Sequence, residues 1–165
     1  MIDITYKYSE YMTKAIRGFH HNSLKFWISN GLGAAIALAE LILYFNSSNA
    51  KLLWIALIVL LLLAVTYYLT CVVQPARFAS DSRYNKPFTL SIGETDLRLK
   101  SEDLDSQAAW SDIRKVWETN RFYYLFLDND QFWVAPKDQF ADKAQEERFR
   151  EIASRHRPIR QGLIR

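Results

Sequence analysis

The chain has 165 residues, of which half are hydrophobic, a formal net charge of +3 at pH 7 and one cysteine, Cys71. Its length predicts a single domain with at most an appendage. The small net charge gives no reason to expect a nucleic-acid partner, and a lone cysteine excludes an internal disulfide or a thiolate metal site.

The first segment, residues 1–25, predicts a strand followed by a helix. Ile2, Ile4 and Tyr6 alternate with polar residues, as in a strand with one buried face. Because a strand is not stable alone in water, we expect it to join a sheet formed later in the chain. Residues 9–22 place their apolar side chains on one side, which predicts a short amphipathic helix leading into a bilayer.

Residues 26–73 contain nearly all the long aliphatic runs, although the mean hydropathy of the whole chain is slightly negative. Two stretches, 26–45 and 52–73, carry one charge and none respectively, and roughly 20 apolar residues are enough for a helix to cross a bilayer. A helix also satisfies its own backbone groups in lipid. Because the polar link at residues 46–51 is short, the sequence predicts an antiparallel pair of transmembrane helices.

Basic residues flank this hairpin at one end. The link contains only Lys51, whereas the other flanks contain Lys7, Lys14, Arg17, Lys25, Arg77, Arg83 and Lys86. Positively charged flanks stay in the cytoplasm, so we expect both termini there.

Aromatic residues at the ends of the spans agree with this orientation. Tryptophan and tyrosine are enriched at membrane interfaces. We therefore expect Trp27, Tyr67 and Tyr68 at the cytoplasmic boundary and Tyr44 with Trp54 at the outer one.

Small residues recur every four positions in the first span, at Gly31, Ala35 and Ala39, and Gly33 with Ala37 runs alongside them. Small residues at this spacing let helix backbones approach closely. The favoured interpretation is packing between the two spans of one chain. A contact between two copies of the chain is the alternative.

Glu40 is the one charged residue inside the predicted spans. It follows Ala37 by three positions and therefore faces the same side of the helix. A carboxylate in hydrocarbon is a candidate functional residue, so Glu40 is a candidate intramembrane polar site. The favoured explanation is a position near the outer end, where the side chain meets water or the link or stays protonated.

The remainder, residues 74–165, predicts a cytoplasmic sheet closed by a helix. Short stretches of alternating apolar residues, separated by polar turns, are typical of a meandering antiparallel sheet. The predicted strands are residues 88–92, 97–99, 108–110, 116–119, 122–127 and 131–136. Residues 138–157 show helical spacing, with Asp138 or Asp142 available as the N-cap.

The stretch AAWSDIRKVWET, residues 108–119, has a functional and a structural interpretation. Ser111 and Asp112 resemble part of a catalytic pair, but a serine nucleophile needs a base held by a third group, and no histidine signature accompanies them. A Ser-Asp pair also suits a turn, because both side chains bond to nearby backbone amides. We therefore predict a corner between two strands, and no enzyme activity, metal site or cofactor.

Several short motifs together resemble the YcxB-like proteins of bacteria. They are W-S-D-I-x-K-V-x-E-T at 110–119, Y-L-F at 124–126, A-P-K-D-Q-F at 135–140 and E-R-F at 147–149, all behind a two-span hairpin. The motif residues expected to be structural are Trp110, Ser111, Asp112, Ile113, Trp117, Pro136, Lys137 and Phe140. The resemblance implies an α+β membrane protein of the inner (plasma) membrane. It also implies a cytoplasmic domain similar to a pleckstrin-homology (PH) barrel, capped by a C-terminal helix. It brings no established catalytic residues.

The function expected from the sequence is a membrane-anchored binding or scaffold module. Its partners would be the lipid bilayer and, at the cytoplasmic face, a protein segment or an anionic lipid headgroup. The alternative is an oligomeric transport or signalling subunit that uses the small-residue face and Glu40. A homo-oligomer is compatible with both.

Overall fold

A computed structural model describes residues 1–80, 85–128 and 131–162, apart from the side chains of Tyr8, Phe78 and Ala79. Within these residues the fold is α+β with two long apolar helices, as expected from the sequence. In chain order the elements are β1 (Ile2–Lys7), α1 (Tyr8–His21), α2 (Leu24–Ser47), α3 (Ala50–Tyr68), a π-helical turn (Leu69–Val73), α4 (Gln74–Ser80), β2 (Pro87–Ile92), β3 (Asp96–Lys100), β4 (Asp105–Ala109), β5 (Lys115–Glu118), β6 (Phe122–Phe126), β7 (Phe132–Pro136), a 3-10 turn (Lys137–Gln139), α5 (Lys143–His156) and β8 (Ile159–Gln161).

The first sheet, sheet 1, contains β1, β2, β3 and β4 in that order, and every neighbouring pair is antiparallel. β1 pairs with β2 along its whole length, from Ile2 opposite Ile92 to Lys7 opposite Pro87. The four helices α1 to α4 are therefore inserted between two neighbouring strands of one sheet. Residues of β1 alternate between buried and exposed, so sheet 1 has one buried face.

The second sheet, sheet 2, has the order β7, β6, β5, β8, and β8 runs parallel to β5. The expected closed barrel is wrong, because the described strands form two separate sheets. β6 and β8 occupy the two edges of β5, which leaves no edge for pairing with β4. The connection between the sheets is a corner and not a continuous hydrogen-bonded ladder.

That corner is the turn predicted at Ser111 and Asp112. The Asp112 carboxylate accepts a hydrogen bond from the Ala109 backbone amide at 3.0 Å, and the Ile113 amide donates to the Trp110 carbonyl at 3.3 Å. Trp110 and Ile113 are both buried. A capped turn between two buried anchors lets the chain cross from sheet 1 to sheet 2.

Helix α5 begins at Lys143, five residues later than residue 138, where the sequence predicts its start. The Asp142 side chain accepts from the Gln145 amide at 2.7 Å and is the N-cap. The preceding residues form the 3-10 turn Lys137–Gln139 and an extended Phe140. Phe149 of α5 lies with its ring centre 4.7 Å from that of Tyr123 in β6, which places α5 against sheet 2.

The two apolar helices α2 and α3 form an antiparallel hairpin. Ser48 adopts the left-handed conformation at the end of α2, with φ of 54°, and the Asn49 side chain caps α3 by accepting from the Lys51 amide at 3.1 Å. After Tyr68 the helix continues through the π-helical turn into α4, and the continuous segment long and apolar enough to cross a membrane is Ala50–Arg77. The predicted spans 26–45 and 52–73 lie within these helices.

The contact between α2 and α3 uses only one of the two rows of small residues. A Cβ on Gly33 would lie 2.8 Å from Leu63 Cδ2, and Ala37 is buried. Gly31, Ala35 and Ala39 are exposed. The expectation that these three residues pack between the spans of one chain is therefore wrong, because the helix turns the neighbouring row toward its partner.

Candidate functional site

The predicted interface aromatics lie at the two ends of the hairpin. The rings of Phe26 and Tyr67 have centres 6.3 Å apart, which brings the beginning of α2 beside the end of α3. Trp27 and Tyr68 are exposed at this end. Tyr44 and Trp54 lie close to the turn at the other end.

Glu40 is half-buried in the hairpin and faces α3. Its Oε2 atom is buried and has no hydrogen-bond partner among the described residues. Successive residues of a helix are rotated by about 100°, so Glu40 shares the inner face with Gly33 and Ala37. The exposed row that contains Ala35 lies on a different face of α2. Glu40 and this row are therefore not part of the same contact surface.

The residues of the family motifs lie in the core, at the corner or in a cluster of charged side chains. Trp110 donates from its indole to the Gly93 carbonyl at 3.0 Å and stacks on His156. Trp117 donates to the Gly162 carbonyl at 3.0 Å and is buried. Pro136 ends β7, Phe140 packs on Phe149, and Ser111 is exposed at the corner. Lys137 belongs to a cluster of charged and polar side chains around the buried Glu118.

That cluster, which we call the Glu118 cluster, consists of Glu118, Tyr123, Lys137, Glu146, Arg150 and Gln161. Glu118 is only 7% exposed. One carboxylate oxygen accepts from the Lys137 ammonium at 2.5 Å, and the other accepts from Gln161 at 2.8 Å and from Arg150. The Tyr123 hydroxyl accepts from Arg150 at 2.8 Å and donates to Glu146 at 2.6 Å.

The electrostatics of the Glu118 cluster indicate a structural role. Burial alone would raise the pKa of Glu118, but hydrogen bonds from Arg150, Lys137 and Gln161 lower it to about 2. A carboxylate with so low a pKa is a poor general base near neutral pH. Its two cations are balanced by two carboxylates. The cluster therefore connects β5, α5 and β8 and leaves no free charge for a ligand.

A different site lies where α1 packs on sheet 2. Ala15 and Ile16 of α1 are buried, and the ring of Phe19 lies 5.2 Å from that of Phe132 in β7. A Cβ on Gly18 would lie 3.0 Å from the Tyr124 hydroxyl. Glycine at this position lets the helix approach β6 closely, because any larger residue requires the tyrosine to move.

Close packing of α1 beside the β5–β6 hairpin leaves a cavity of about 360 Å³. We call it the basic cleft and define it by Lys14, Arg17 and His21 of α1 and by Asn120 and Arg121 at the tip of the hairpin. The Thr119 amide donates to the Phe122 carbonyl at 2.9 Å, and the Phe122 amide donates to the Thr119 hydroxyl at 3.2 Å, which closes that tip. A second cavity of about 270 Å³ shares Lys14, Asn120 and Arg121 and extends toward Tyr11 and Asp138. The volume of the basic cleft lies in the range of sites for small ligands.

The three cations of the basic cleft form no ion pair within the part of the chain that the structure describes. Lys14, Arg17 and Arg121 are exposed, and among the described residues no carboxylate lies within ion-pair distance of them. Arg17 donates weakly to the Cys71 carbonyl at 3.4 Å, and the Lys14 ammonium lies 5.2 Å from the centre of the Tyr11 ring. The cleft therefore concentrates positive charge around an open volume.

Nearby Asp138 is already bonded. Its carboxylate accepts from the Tyr11 hydroxyl at 3.0 Å, and Gln139 donates to the same hydroxyl at 2.8 Å. Burial, followed by the bond to Asp138, raises the pKa of Tyr11. A hydrogen bond from a neutral hydroxyl leaves the carboxylate charge in place, so Tyr11 and Asp138 form a hydrogen-bonded wall that carries one negative charge beside the cations.

The basic cleft adjoins the start of the hairpin. The Trp27 indole donates to the His21 carbonyl at 2.7 Å, and the ring centres of His21 and Tyr67 are 6.3 Å apart. Only Asn22 and Ser23 separate α1 from α2. The cleft therefore lies next to the end of the hairpin that carries Trp27, Tyr67 and Tyr68.

From the sequence, Lys14 and Arg17 served only to orient the spans, Glu118 appeared only within the 110–119 motif, and Arg121 was not singled out. The available signals were a spacing of three on one helix, Lys14 to Arg17, and a cation in the tight turn Thr119-Asn120-Arg121-Phe122. These cations come together because α1 packs on β6 through Gly18 and Tyr124. The local sequence pattern does not indicate that these two residues are in contact. In the described part of the chain, no group of three or more His, Cys, Asp or Glu side chains is placed to hold a metal ion.

Comparisons with known proteins identify part of the chain. No curated protein and no solved structure matches it. The matched segment, residues 92–153, runs from the last residue of β2 into α5 and contains the corner, the β5–β6 hairpin and Glu118. It matches the family model described as YcxB-like protein, so this segment of the chain is YcxB-like, as the motifs indicated.

Proposed function

We propose that the protein is a membrane-anchored module that binds an anionic ligand at the cytoplasmic surface of the bacterial inner membrane. In this proposal α2 and α3 cross the bilayer, both ends of the chain lie in the cytoplasm, and the two sheets form the binding domain. The role is binding and not catalysis.

Exposure of the hairpin supports a membrane anchor. In each helix only 6% of the most apolar 18-residue stretch is buried, whereas a core helix of a soluble protein would be mostly buried. Leu32 and Leu61 are each 62% exposed. Apolar surface costs about 25 cal/mol per Å² in water, and a bilayer removes that cost along the whole hairpin.

The distribution of charge supports the orientation. Basic residues flank the end of the hairpin beside the basic cleft, including Lys14, Arg17 and Lys25, while the turn at the other end contains only Lys51. Positive flanks remain in the cytoplasm. The domain and the cleft would then face the cytoplasm.

The finer description of the domain as PH-like is part of the proposal. Its support is the order of elements: four antiparallel strands, three further antiparallel strands and a helix. The parallel strand β8 and the open edges make it a variant without a closed barrel. A fold by itself does not specify a ligand, so the binding role is argued from the cleft.

The single observation that carries the binding role is the convergence of Lys14, Arg17 and Arg121 on one cavity, with no carboxylate of the described residues paired to them. Three cations held close together repel one another, and an anion between them removes that repulsion. Arginine and lysine donors also suit the oxygens of phosphate and carboxylate groups.

Thermal unfolding of the full chain in nanodiscs of uncharged lipid tests this role, with inorganic pyrophosphate as the probe. Pyrophosphate is expected to raise the unfolding temperature of the wild type and to have no effect on a Lys14→Gln/Arg121→Gln double variant. Arg155→Gln is the control for removal of a cation away from the cleft, because Arg155 contacts Glu94 at 3.1 Å in the β2–β3 turn. A wild type that pyrophosphate does not stabilise, or equal shifts in all three proteins, would contradict the role.

A further inference from the structure

We infer that the anion taken by the basic cleft is the headgroup phosphate of an anionic phospholipid from the leaflet in which the hairpin is anchored. The inference rests on the proposed function and adds the chemical class and the source of the ligand. It is carried by the position of the cleft, by the arrangement of its cations and by the apolar surface beside it.

The position of the cleft places it at the level of lipid headgroups. His21 lines the cavity, accepts a hydrogen bond from Trp27 at 2.7 Å and has its ring centre 6.4 Å from that of Phe26. Tryptophan and tyrosine at the ends of membrane helices lie among the headgroups. A wall of the cleft is therefore continuous with the residues that mark the interface.

The cations approach the cavity from two sides. Lys14 and Arg17 are three positions apart and lie on one face of α1. Arg121 lies at the tip of the β5–β6 hairpin, on the other side of the cavity. A phosphate group offers several acceptor oxygens, which matches donors that converge from different directions. Basic pockets beside membrane helices on the cytoplasmic side suit anionic headgroups for this reason.

A lipid also needs a surface for its acyl chains. Trp27 and Ile28 at the start of α2 are 53% and 60% exposed, and they follow the cleft directly along the chain. A headgroup in the cleft would leave its chains beside these side chains. A soluble phosphate compound would gain nothing from this apolar surface.

Lipid retention tests the inference. The full chain is reconstituted in phosphatidylcholine nanodiscs that contain phosphatidylglycerol, and the anionic lipids that remain bound are counted by native mass spectrometry. We expect one phosphatidylglycerol per wild-type chain and the same for Arg155→Gln. Arg121→Gln and Lys14→Gln should each reduce retention about fivefold, the effect of one basic residue near an anionic surface. Two separate variants protect the test against one that does not fold.

A parallel arm separates the two possible sources of phosphate. Inorganic phosphate and glycerol 3-phosphate are added to the protein in pure phosphatidylcholine nanodiscs, and the thermal shift is measured. Stabilisation by these soluble compounds without retention of phosphatidylglycerol would overturn the lipid inference and leave the proposed function standing. Retention that is equal in the wild type and both cleft variants would also overturn it. If the soluble phosphate compounds do not stabilise the protein and phosphatidylglycerol is not retained, both the lipid inference and the proposed function are overturned.

Discussion

The hydroxyl of Tyr124 in β6 donates a buried hydrogen bond to the backbone carbonyl of Ala15 in α1, across 2.9 Å. The same hydroxyl is the atom that a side chain at Gly18 would meet. Because α1 leads directly into α2, this contact connects the hairpin to sheet 2 and sets one wall of the basic cleft.

A double-mutant cycle at Gly18 and Tyr124 measures this contact. Tyr124→Phe is expected to lower the free energy of unfolding by about 1 kcal/mol, the value of one hydrogen bond. Gly18→Ala adds a close contact with the hydroxyl, but it also gains about 1 kcal/mol of helix propensity. That propensity gain is the same in both backgrounds and cancels in the cycle. We expect Gly18→Ala to be better tolerated in the Tyr124→Phe background, and strictly additive effects would show that the residues are not in contact.

Glu118 makes stability depend on pH. Its pKa of about 2 lies below the ordinary value of 4.5, so the folded state favours the ionised form. This contribution is complete above about pH 5 and is lost as the pH falls from 4.5 toward 2. A difference of this size corresponds to about 3 kcal/mol.

We therefore expect Glu118→Gln to unfold at a lower temperature than the wild type at pH 7. The difference between the two unfolding temperatures should be smaller at pH 3. Glu151→Gln, an exposed position on α5, is the control and should change little at either pH. A gap that is constant between pH 7 and pH 3 would show that ionisation of Glu118 does not stabilise the fold.

Gly33 and Gly31 form a matched pair in α2. A Cβ on Gly33 would lie 2.8 Å from Leu63 Cδ2, whereas one on Gly31 would have no neighbour within 4 Å. We expect Gly33→Leu to destabilise the hairpin by about 1–3 kcal/mol through overpacking, and Gly31→Leu not to destabilise the isolated chain. Unfolding in detergent measures the first effect.

The oligomeric state of the Gly31→Leu variant tests the alternative use of the exposed row. If copies of the chain associate through Gly31, Ala35 and Ala39, this variant should dissociate them in a crosslinking assay. If Gly31→Leu weakens the monomer as much as Gly33→Leu does, the inner face of α2 is assigned incorrectly.

Replacement of Glu40 is expected to stabilise the hairpin. Its buried Oε2 atom has no hydrogen-bond partner in the described structure, and an unsatisfied buried polar group costs about 1–3 kcal/mol. Glu40→Leu should therefore raise resistance to unfolding in detergent and leave pyrophosphate binding by the cleft unchanged. Loss of binding in Glu40→Leu and Glu40→Gln alike would favour the transport or signalling alternative.

The sequence predicted most of the elements because their apolar periods are strong. Alternation at Ile2 and Ile4 marks β1, and uninterrupted aliphatic runs mark α2 and α3. Strand β8 was missed because it is three residues long and mainly exposed, so it has no alternating pattern. The prediction of a closed barrel failed because it did not include β8. This strand occupies the edge of β5 that β4 would need to close the barrel.

The basic cleft was not predictable from local patterns. Lys14 and Arg121 are far apart in the chain, and their approach depends on how α1 packs against β6. That packing rests on a glycine, Gly18, and on aromatic contacts such as Phe19 with Phe132. Composition reveals the cations but not that they stay unpaired with any carboxylate among the described residues.

Depth in the bilayer is the most direct test of the account. Spin labels are attached at Asn120→Cys, in the cleft, and at Thr95→Cys, in the turn after β2 at the end of sheet 1 opposite α1, with the buried Cys71 replaced by Ala. The protein is reconstituted in vesicles whose headgroups carry chelated nickel. The account predicts several-fold stronger relaxation of the label at 120 than of the label at 95. Equal relaxation, or stronger relaxation at 95, would contradict a cleft that faces the headgroups.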